Sequence, residues 1–160
     1  SANIGGSMPS ATARAAQADT IRGAGVGAFP MPTRNMLRIL VVDDHPLFRS
    51  AVRSMALDAA PEVEVLEAAS GCEALALLGG DRPIDLILLD LELPDMRGDE
   101  VLAAARAQSR GLPVVILSAS EQRDDILLAM DRGAVGYIPK SSSRDVILAA
   151  IRLVLSGGVY

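Results

Sequence analysis

Pro83-Ile84-Asp85-Leu86-Ile87-Leu88-Leu89-Asp90-Leu91-Glu92-Leu93-Pro94-Asp95-Met96-Arg97-Gly98 is the stretch that decides the fold. Residues 84–89 are almost uninterrupted apolar sequence, short and bounded by prolines. Such a run predicts a strand buried on both faces, as in the middle of a parallel sheet. The run ends on Asp90. Open parallel sheets place their chemistry just beyond the carboxyl ends of the strands, so Asp90 stands where a functional carboxylate belongs. Asp is also a favoured turn residue, and the bland reading of Asp90 is a turn start. The rest of the chain decides between the two.

Working outward, residues 37–42 form a second apolar run that ends on Asp43-Asp44. His45-Pro46 follows, with Leu47, Phe48, Ala51, Val52 and Met55 at helical spacing. Pro46 suits a first helical turn, where its missing N–H costs nothing; Asp44 or His45 is the expected cap. Residues 62–68 begin with strict alternation, which predicts a strand at a sheet edge. Ser70 and Glu73 have capping-box spacing and open a helix through Leu75 and Leu78, closed by Gly79-Gly80.

Beyond the central strand, residues 98–108 predict an Ala-rich helix with Val101, Leu102 and Ala105 inward. Residues 113–117 predict a fourth strand ending on Ser118. Ser120 is the expected cap of the next helix, with Ile126, Leu127 and Met130 as its apolar contacts, and Gly133 ends it. Residues 134–138 predict a short fifth strand, ending at Pro139-Lys140. Ser142 or Ser143 caps the last helix, residues 145–155, and Gly157-Gly158 stops it. Five strands alternating with five helices predict an α/β fold, a (βα)5 doubly wound parallel sheet. The flavodoxin-like strand order 2-1-3-4-5 is expected.

The chain has 160 residues, enough for one domain with a sizeable core. Half of it is apolar and only 2% aromatic, so Leu, Ile, Val, Ala and Met must build the core. A net charge of -5 argues against a nucleic-acid-binding surface on this domain. The single cysteine, Cys72, excludes an internal disulfide and fits a reducing compartment, the cytoplasm. No apolar run reaches the roughly 18–20 residues needed to span a membrane, and no signal peptide is visible. Residues 1–35 read as a separate segment. Ser1 to Ser7 look like a remnant of recombinant expression, and Met8 like a natural start. An Ala/Gly/Pro-rich arm follows that predicts flexibility. The domain proper is expected from Met36 to residue 156.

The predicted strand ends carry Asp43-Asp44, Asp90, Ser118 and Lys140. If strands one, three, four and five are neighbours, these side chains converge. Three carboxylates packed together repel, so either some are protonated or a cation sits among them. Mg2+ suits oxygen ligands and retained water. A metal site beside a nucleophilic carboxylate and a lysine is a phosphoryl-transfer layout. Asp90 would attack phosphorus, Mg2+ and Lys140 would neutralise the equatorial oxygens, and Ser118 would offer a hydroxyl.

With these residues assembled, the sequence resembles the receiver domain of bacterial two-component response regulators. The motifs are Val41-Val42-Asp43-Asp44-His45-Pro46, the stretch from Leu88 to Gly98, Leu117-Ser118-Ala119, and Gly136-Tyr137-Ile138-Pro139-Lys140. The resemblance covers residues 37–156. It implies that Asp90 accepts a phosphoryl group from a sensor histidine kinase. It also implies that Asp43, Asp44, Asp90 and the backbone carbonyl of Glu92 organise Mg2+, Asp44 directly and Asp43 through water. Ser118 and Lys140 match the groups that grip the phosphoryl group, and Tyr137 matches the aromatic switch that turns inward. The Asp-Asp-His-Pro opening and the Gly136-Tyr137-Ile138-Pro139-Lys140-Ser141 stretch look most like the NarL/FixJ-like subfamily. In that subfamily the receiver precedes a LuxR-type helix-turn-helix, so residues 157–160 are expected to begin a linker to a C-terminal DNA-binding domain that controls transcription. The implied activity is a switch, with no turnover of an external substrate.

Several residues have plainer readings. His45, the only histidine, reads as a cap or orienting group rather than a catalyst. Cys72 reads as an ordinary small side chain. The Glu92 side chain is either a solvated charge or a group at the site mouth that tunes loss of the phosphoryl group. Pro139 precedes Lys140, where many receivers have proline after it, which leaves the isomer of the Lys140–Ser141 bond open. The last helix is apolar beyond one stripe, which predicts a partner: a second receiver in a homodimer, or the output domain. The alternative function is an aspartate-nucleophile phosphatase of the haloacid dehalogenase type. That chemistry wants a second Asp two positions after the nucleophile, where this chain has Glu92, and has no need of the Asp43-Asp44 pair. A flavin-binding module would want a Ser/Thr/Gly-rich phosphate loop after strand one, where Asp43-Asp44 would repel a phosphate.

Overall fold

The computed structural model describes residues 36–157, and the ten expected elements are all present there. The expectations for residues 1–35 and 158–160 lie outside the described residues. The strands are β1 (Arg38–Val42), β2 (Glu64–Ala68), β3 (Leu86–Leu89), β4 (Val114–Ser118) and β5 (Gly136–Pro139). The helices are α1 (Pro46–Ala59), α2 (Gly71–Leu78), α3 (Gly98–Gln108), α4 (Arg123–Asp131) and α5 (Arg144–Leu155). All strand pairs are parallel, in the order β2-β1-β3-β4-β5.

Side chains alternate across each strand with a period of two, and the central strands are apolar on both faces. Ile39, Val41, Leu86, Leu88, Val115 and Leu117 therefore face one way, onto Val52 and Met55 of α1 and Ile147 and Ile151 of α5. Leu40, Val42, Ile87, Leu89, Val114 and Ile116 face the other way, onto Ala74, Val101, Leu102 and Ala129 of α2, α3 and α4. The two cores share only the sheet. Both rest on aliphatic packing, as a chain so poor in aromatics requires. β2 lies at the sheet edge as expected, but the alternation breaks down along it: Val65 packs into the first core, Ala68 into the second, and Glu67, on the same face as Val65, is exposed.

Several expectations about helix faces and caps are corrected. Leu47 is 88% exposed and Leu127 50%, and Leu75 and Met130 also face outward. On α4 the buried residue is Ala129 instead, packed in the second core. The cap position of α1 is His45, but its side chain makes no capping bond. Ser120 does not occupy the cap of α4, which is Gln122. Ser70 and Ser143 do cap α2 and α5, accepting from the Glu73 and Val146 amides. Gly133 and Gly157 take positive φ after α4 and α5, the conformation in which glycine is favoured. No peptide bond among the described residues is cis, so the Lys140–Ser141 bond is trans. In α5, Ile147, Leu148, Ala150, Ile151 and Val154 are all buried within the domain, leaving Val146 and Leu153 as its exposed large apolar side chains, with Ala149 between them.

Candidate phosphoryl-acceptor site

Sheet hydrogen bonding runs one residue past the strands and sets the reactive residues in a row. The Asp43 amide donates to the Ala68 carbonyl at 3.0 Å, the Asp90 amide to Val42 at 2.9 Å, and the Lys140 amide to Ser118 at 2.8 Å. Asp43, Asp90 and Ser118 are the only buried polar or charged residues among those described, at 2%, 2% and 0% exposure. Burying such groups is costly unless they are paired, so their partners define the site.

Asp90 accepts the Glu92 amide on Oδ1 at 3.1 Å and the Lys140 ammonium on Oδ2 at 2.9 Å. Lys140 Nζ also lies 2.7 Å from Asp43 Oδ2, a close ion pair rather than an aligned hydrogen bond. The ammonium sits 4.8 Å from the centre of the Phe48 ring, within cation–π range. Burial raises the Asp90 pKa above its ordinary value of 3.8, and the neighbouring charge of Asp43 acts the same way; the Lys140 and Glu92 hydrogen bonds offset this only in part. For Lys140, burial favours the neutral amine. The Asp43 and Asp90 carboxylates more than reverse that and hold the ammonium above its usual range.

His45 is an orienting group, as expected. Its backbone amide donates to Asp43 Oδ1 at 2.8 Å, and its Nδ1 lies 2.9 Å from the same oxygen. Nδ1 is also 3.2 Å from Asp44 Oδ1 and 3.1 Å from Lys140 Nζ. Asp43 Oδ2 and Asp44 Oδ1 are shielded from solvent and accept no hydrogen bond from the described residues. Asp43, Asp44, His45 and Asp90 each bring a ligand atom within 4.8 Å of the others. Carboxylate oxygens clustered in this way suit a hard divalent cation, so the donor set fits a metal ion.

Ser118 is brought to the same edge, but its Oγ is engaged elsewhere and accepts the Ser120 amide at 3.1 Å. Tyr137 is half-buried, and its hydroxyl donates to the Ser120 carbonyl at 2.7 Å. Glu92 reaches Asp90 through its amide, and the residue is exposed.

Three supporting residues escaped the sequence reading. Asp95 reaches across to α2, where its two carboxylate oxygens accept the Gly71 and Cys72 amides, each at 2.8 Å. Those bonds hold the Asp95 carboxyl below its usual range. Gly98 lies so close to the end of β3 that a Cβ there would stand 2.3 Å from the Asp90 carbonyl oxygen. Arg49 of α1 donates to the Asp43 carbonyl at 2.7 Å while pairing with Glu67 of β2 at 2.9 Å, which fixes the turn carrying the acidic pair. Gly98 was visible only as a helix start. The other two act across elements, where no spacing rule reaches.

Comparison with known proteins agrees with this geometry. Residues 39–152 match the family model described as the response regulator receiver domain. The chain is 45% identical over 125 residues to the glycerol metabolism activator of Pseudomonas putida, covering 78% of this chain and 57% of that protein. It is 39% identical over 128 residues to the nitrate/nitrite response regulator protein NarP of Escherichia coli, covering 79% of this chain and 59% of that protein. The chain thus spans little more than half the length of these curated relatives. A LuxR family DNA-binding response regulator from Silicibacter pomeroyi superposes with a TM-score of 0.67 at 31% identity, covering 76% of this chain and 93% of that one. An acidic cluster at the strand ends, a lysine on the central carboxylate and a family match across most of the domain agree: this chain belongs to the response regulator receiver domains, with NarL- and LuxR-type proteins among its relatives.

Proposed function

We propose that this receiver is a phosphorylation-driven switch in which Asp90 takes a phosphoryl group from the phosphohistidine of a sensor histidine kinase. One observation carries the reading: a buried Asp90 carboxylate ends the central strand and shares the Lys140 ammonium with the buried Asp43 carboxylate. An Asp90 oxygen attacks phosphorus and the phosphorus–nitrogen bond to the kinase imidazole breaks. Its electron pair returns to the ring nitrogen, which takes a proton from water, and Asp90 is left as an acyl phosphate.

Asp43, Asp44, Asp90 and the Glu92 backbone carbonyl are the residues that hold Mg2+ in this reading. When bound, the ion supplies positive charge to the transferring phosphoryl oxygens. Lys140, already on Asp90, follows an oxygen of the transferred group. Ser118 turns its hydroxyl toward another, and Tyr137 moves inward behind it. In the full-length protein the output is a C-terminal DNA-binding domain and transcription control in the cytoplasm, as the LuxR-type relatives suggest. The domain acts on its own carboxylate and turns over no external substrate. The phosphatase alternative gains nothing from the site, since Glu92, where its acid would stand, meets Asp90 through the backbone amide.

The test is intact-protein mass after incubation with acetyl phosphate. A gain of one phosphoryl group in the parent, dependent on Mg2+ and absent in Asp90→Asn, is the expected result. Equal labelling of parent and variant would overturn the assignment.

A further inference from the structure

Ser120, in the loop between β4 and α4, has every polar atom engaged. Its amide donates to Ser118 Oγ at 3.1 Å and its carbonyl accepts the Tyr137 hydroxyl at 2.7 Å. Its hydroxyl accepts the Gln122 amide at 3.3 Å and donates to Asp125 Oδ2 at 2.6 Å. A hydroxyl donating to a carboxylate at that distance belongs to the short, charge-assisted class. Asp125 sits in the first turn of α4. Its other oxygen is 4.0 Å from Arg97, which comes from the loop after β3. Arg97 also pairs with Asp99 of α3, and Asp99 pairs with Arg132 at the far end of α4.

The sequence offered Ser120 as a helix cap. The structure makes it instead, among the described residues, the one whose hydrogen bonds join the Ser118 hydroxyl, the Tyr137 hydroxyl and helix α4. We infer that Asp125 is the anchor that holds the β4–α4 loop in its resting position, acting through Ser120 on Ser118 and Tyr137.

The resting anchor is independent of phosphoryl chemistry; its release rests on the proposed acceptance at Asp90. When Ser118 Oγ turns to a phosphoryl oxygen it gives up the Ser120 amide. The loop then stays only as long as the Ser120–Asp125 bond holds it. Asp125 and Ser120 are positioning residues: they bias the two loop states and touch neither the phosphoryl group nor the metal donors.

Hydrogen exchange at the Ser120 amide tests this, because its partner, Ser118, is untouched by the substitutions. Ser120→Ala removes the hydroxyl, with its bond to Asp125 and the longer one from the Gln122 amide, and leaves every charge of α4 in place. Asp125→Ala removes its acceptor and also an N-terminal charge of α4, so Ser120→Ala guards against simple helix fraying. Without phosphoryl donor, each variant should exchange this amide at least tenfold faster than the parent. The double variant should go no faster, Ser120→Thr should restore the parent rate, and amides of β4 should be unchanged. Rates within twofold of the parent in both single variants would overturn the anchor, as would equal acceleration throughout β4 and α4 in Ser120→Ala. With acetyl phosphate and Mg2+, the parent amide should approach the variants' rate. A phosphorylated parent that still exchanges at the resting rate would overturn release. Failure of the parent to gain a phosphoryl group would count against Asp90 alone, since the resting comparison needs no donor.

Discussion

Asp90 answers two opposed demands. A nucleophilic carboxylate must be ionised, yet burial raises its pKa and favours the proton. The folded form therefore binds this proton more tightly than the unfolded chain. Between the ordinary value of 3.8 and the raised folded value, stability falls as pH rises. At neutral pH the charge is a standing cost, and Asp90→Asn should raise the melting temperature. Calorimetry at pH 7 measures it. Lys140 follows the same sign in an alkaline window, above its ordinary value of 10.5. Its pKa is raised by its two carboxylate partners, so its contribution is complete at neutral pH and is lost only as pH climbs through that raised value. Lys140→Ala leaves Asp43 and Asp90 facing one another without a cation. It should lower stability at pH 7 by about 3 kcal/mol and recover part of the loss as pH is lowered and Asp90 takes a proton. A thermal-melt series across pH reads both the loss and the recovery.

The element that carries the site is the loop from β3 to α3. Asp90 ends the strand, Glu92 folds its amide back on Asp90, Asp95 ties the loop to the start of α2, and Gly98 lets the chain pass against the strand end. Gly98→Ala sets a methyl group against backbone that cannot yield. It should cost about 1–3 kcal/mol, read as a lower urea midpoint at unchanged m-value, with slower labelling of Asp90. The strands and their last residues were legible in the sequence because a run of buried aliphatics ending on a carboxylate or hydroxyl is a one-dimensional signal. The helix faces were less so. Leu47, at the start of α1, and Leu127 and Met130 of α4 were read inward by residue type, but they are exposed and Ala129 is the residue that α4 buries. The ties made by Asp95, Arg49 and Asp125 join residues of different elements, and periodicity holds no record of them.

At the scale of the whole molecule, the two aliphatic cores share one sheet, and the reactive row lies along that sheet's carboxyl edge. Binding a cation there stabilises the fold in proportion to its occupancy. Mg2+ at about 100 times its dissociation constant should add roughly 2.7 kcal/mol. The gain should vanish with a chelator and be largely lost in Asp44→Ala, as followed by thermal melts. The fold class, the strand order and the convergence of Asp43, Asp44, Asp90 and Lys140 could be read from the sequence, whereas Ser118 reaches the same edge with its hydroxyl on the Ser120 amide. The division of labour among them could not, because it depends on which oxygen Lys140 occupies and which His45 shields. The central claim is that Asp90 itself carries the phosphoryl group. Borohydride reduction of the phosphorylated protein, followed by peptide mapping, tests it most directly, because an acyl phosphate on aspartate is reduced to homoserine. The account predicts homoserine at position 90 and nowhere else; homoserine at another aspartate, or a phosphoryl group found on Ser118, would contradict it.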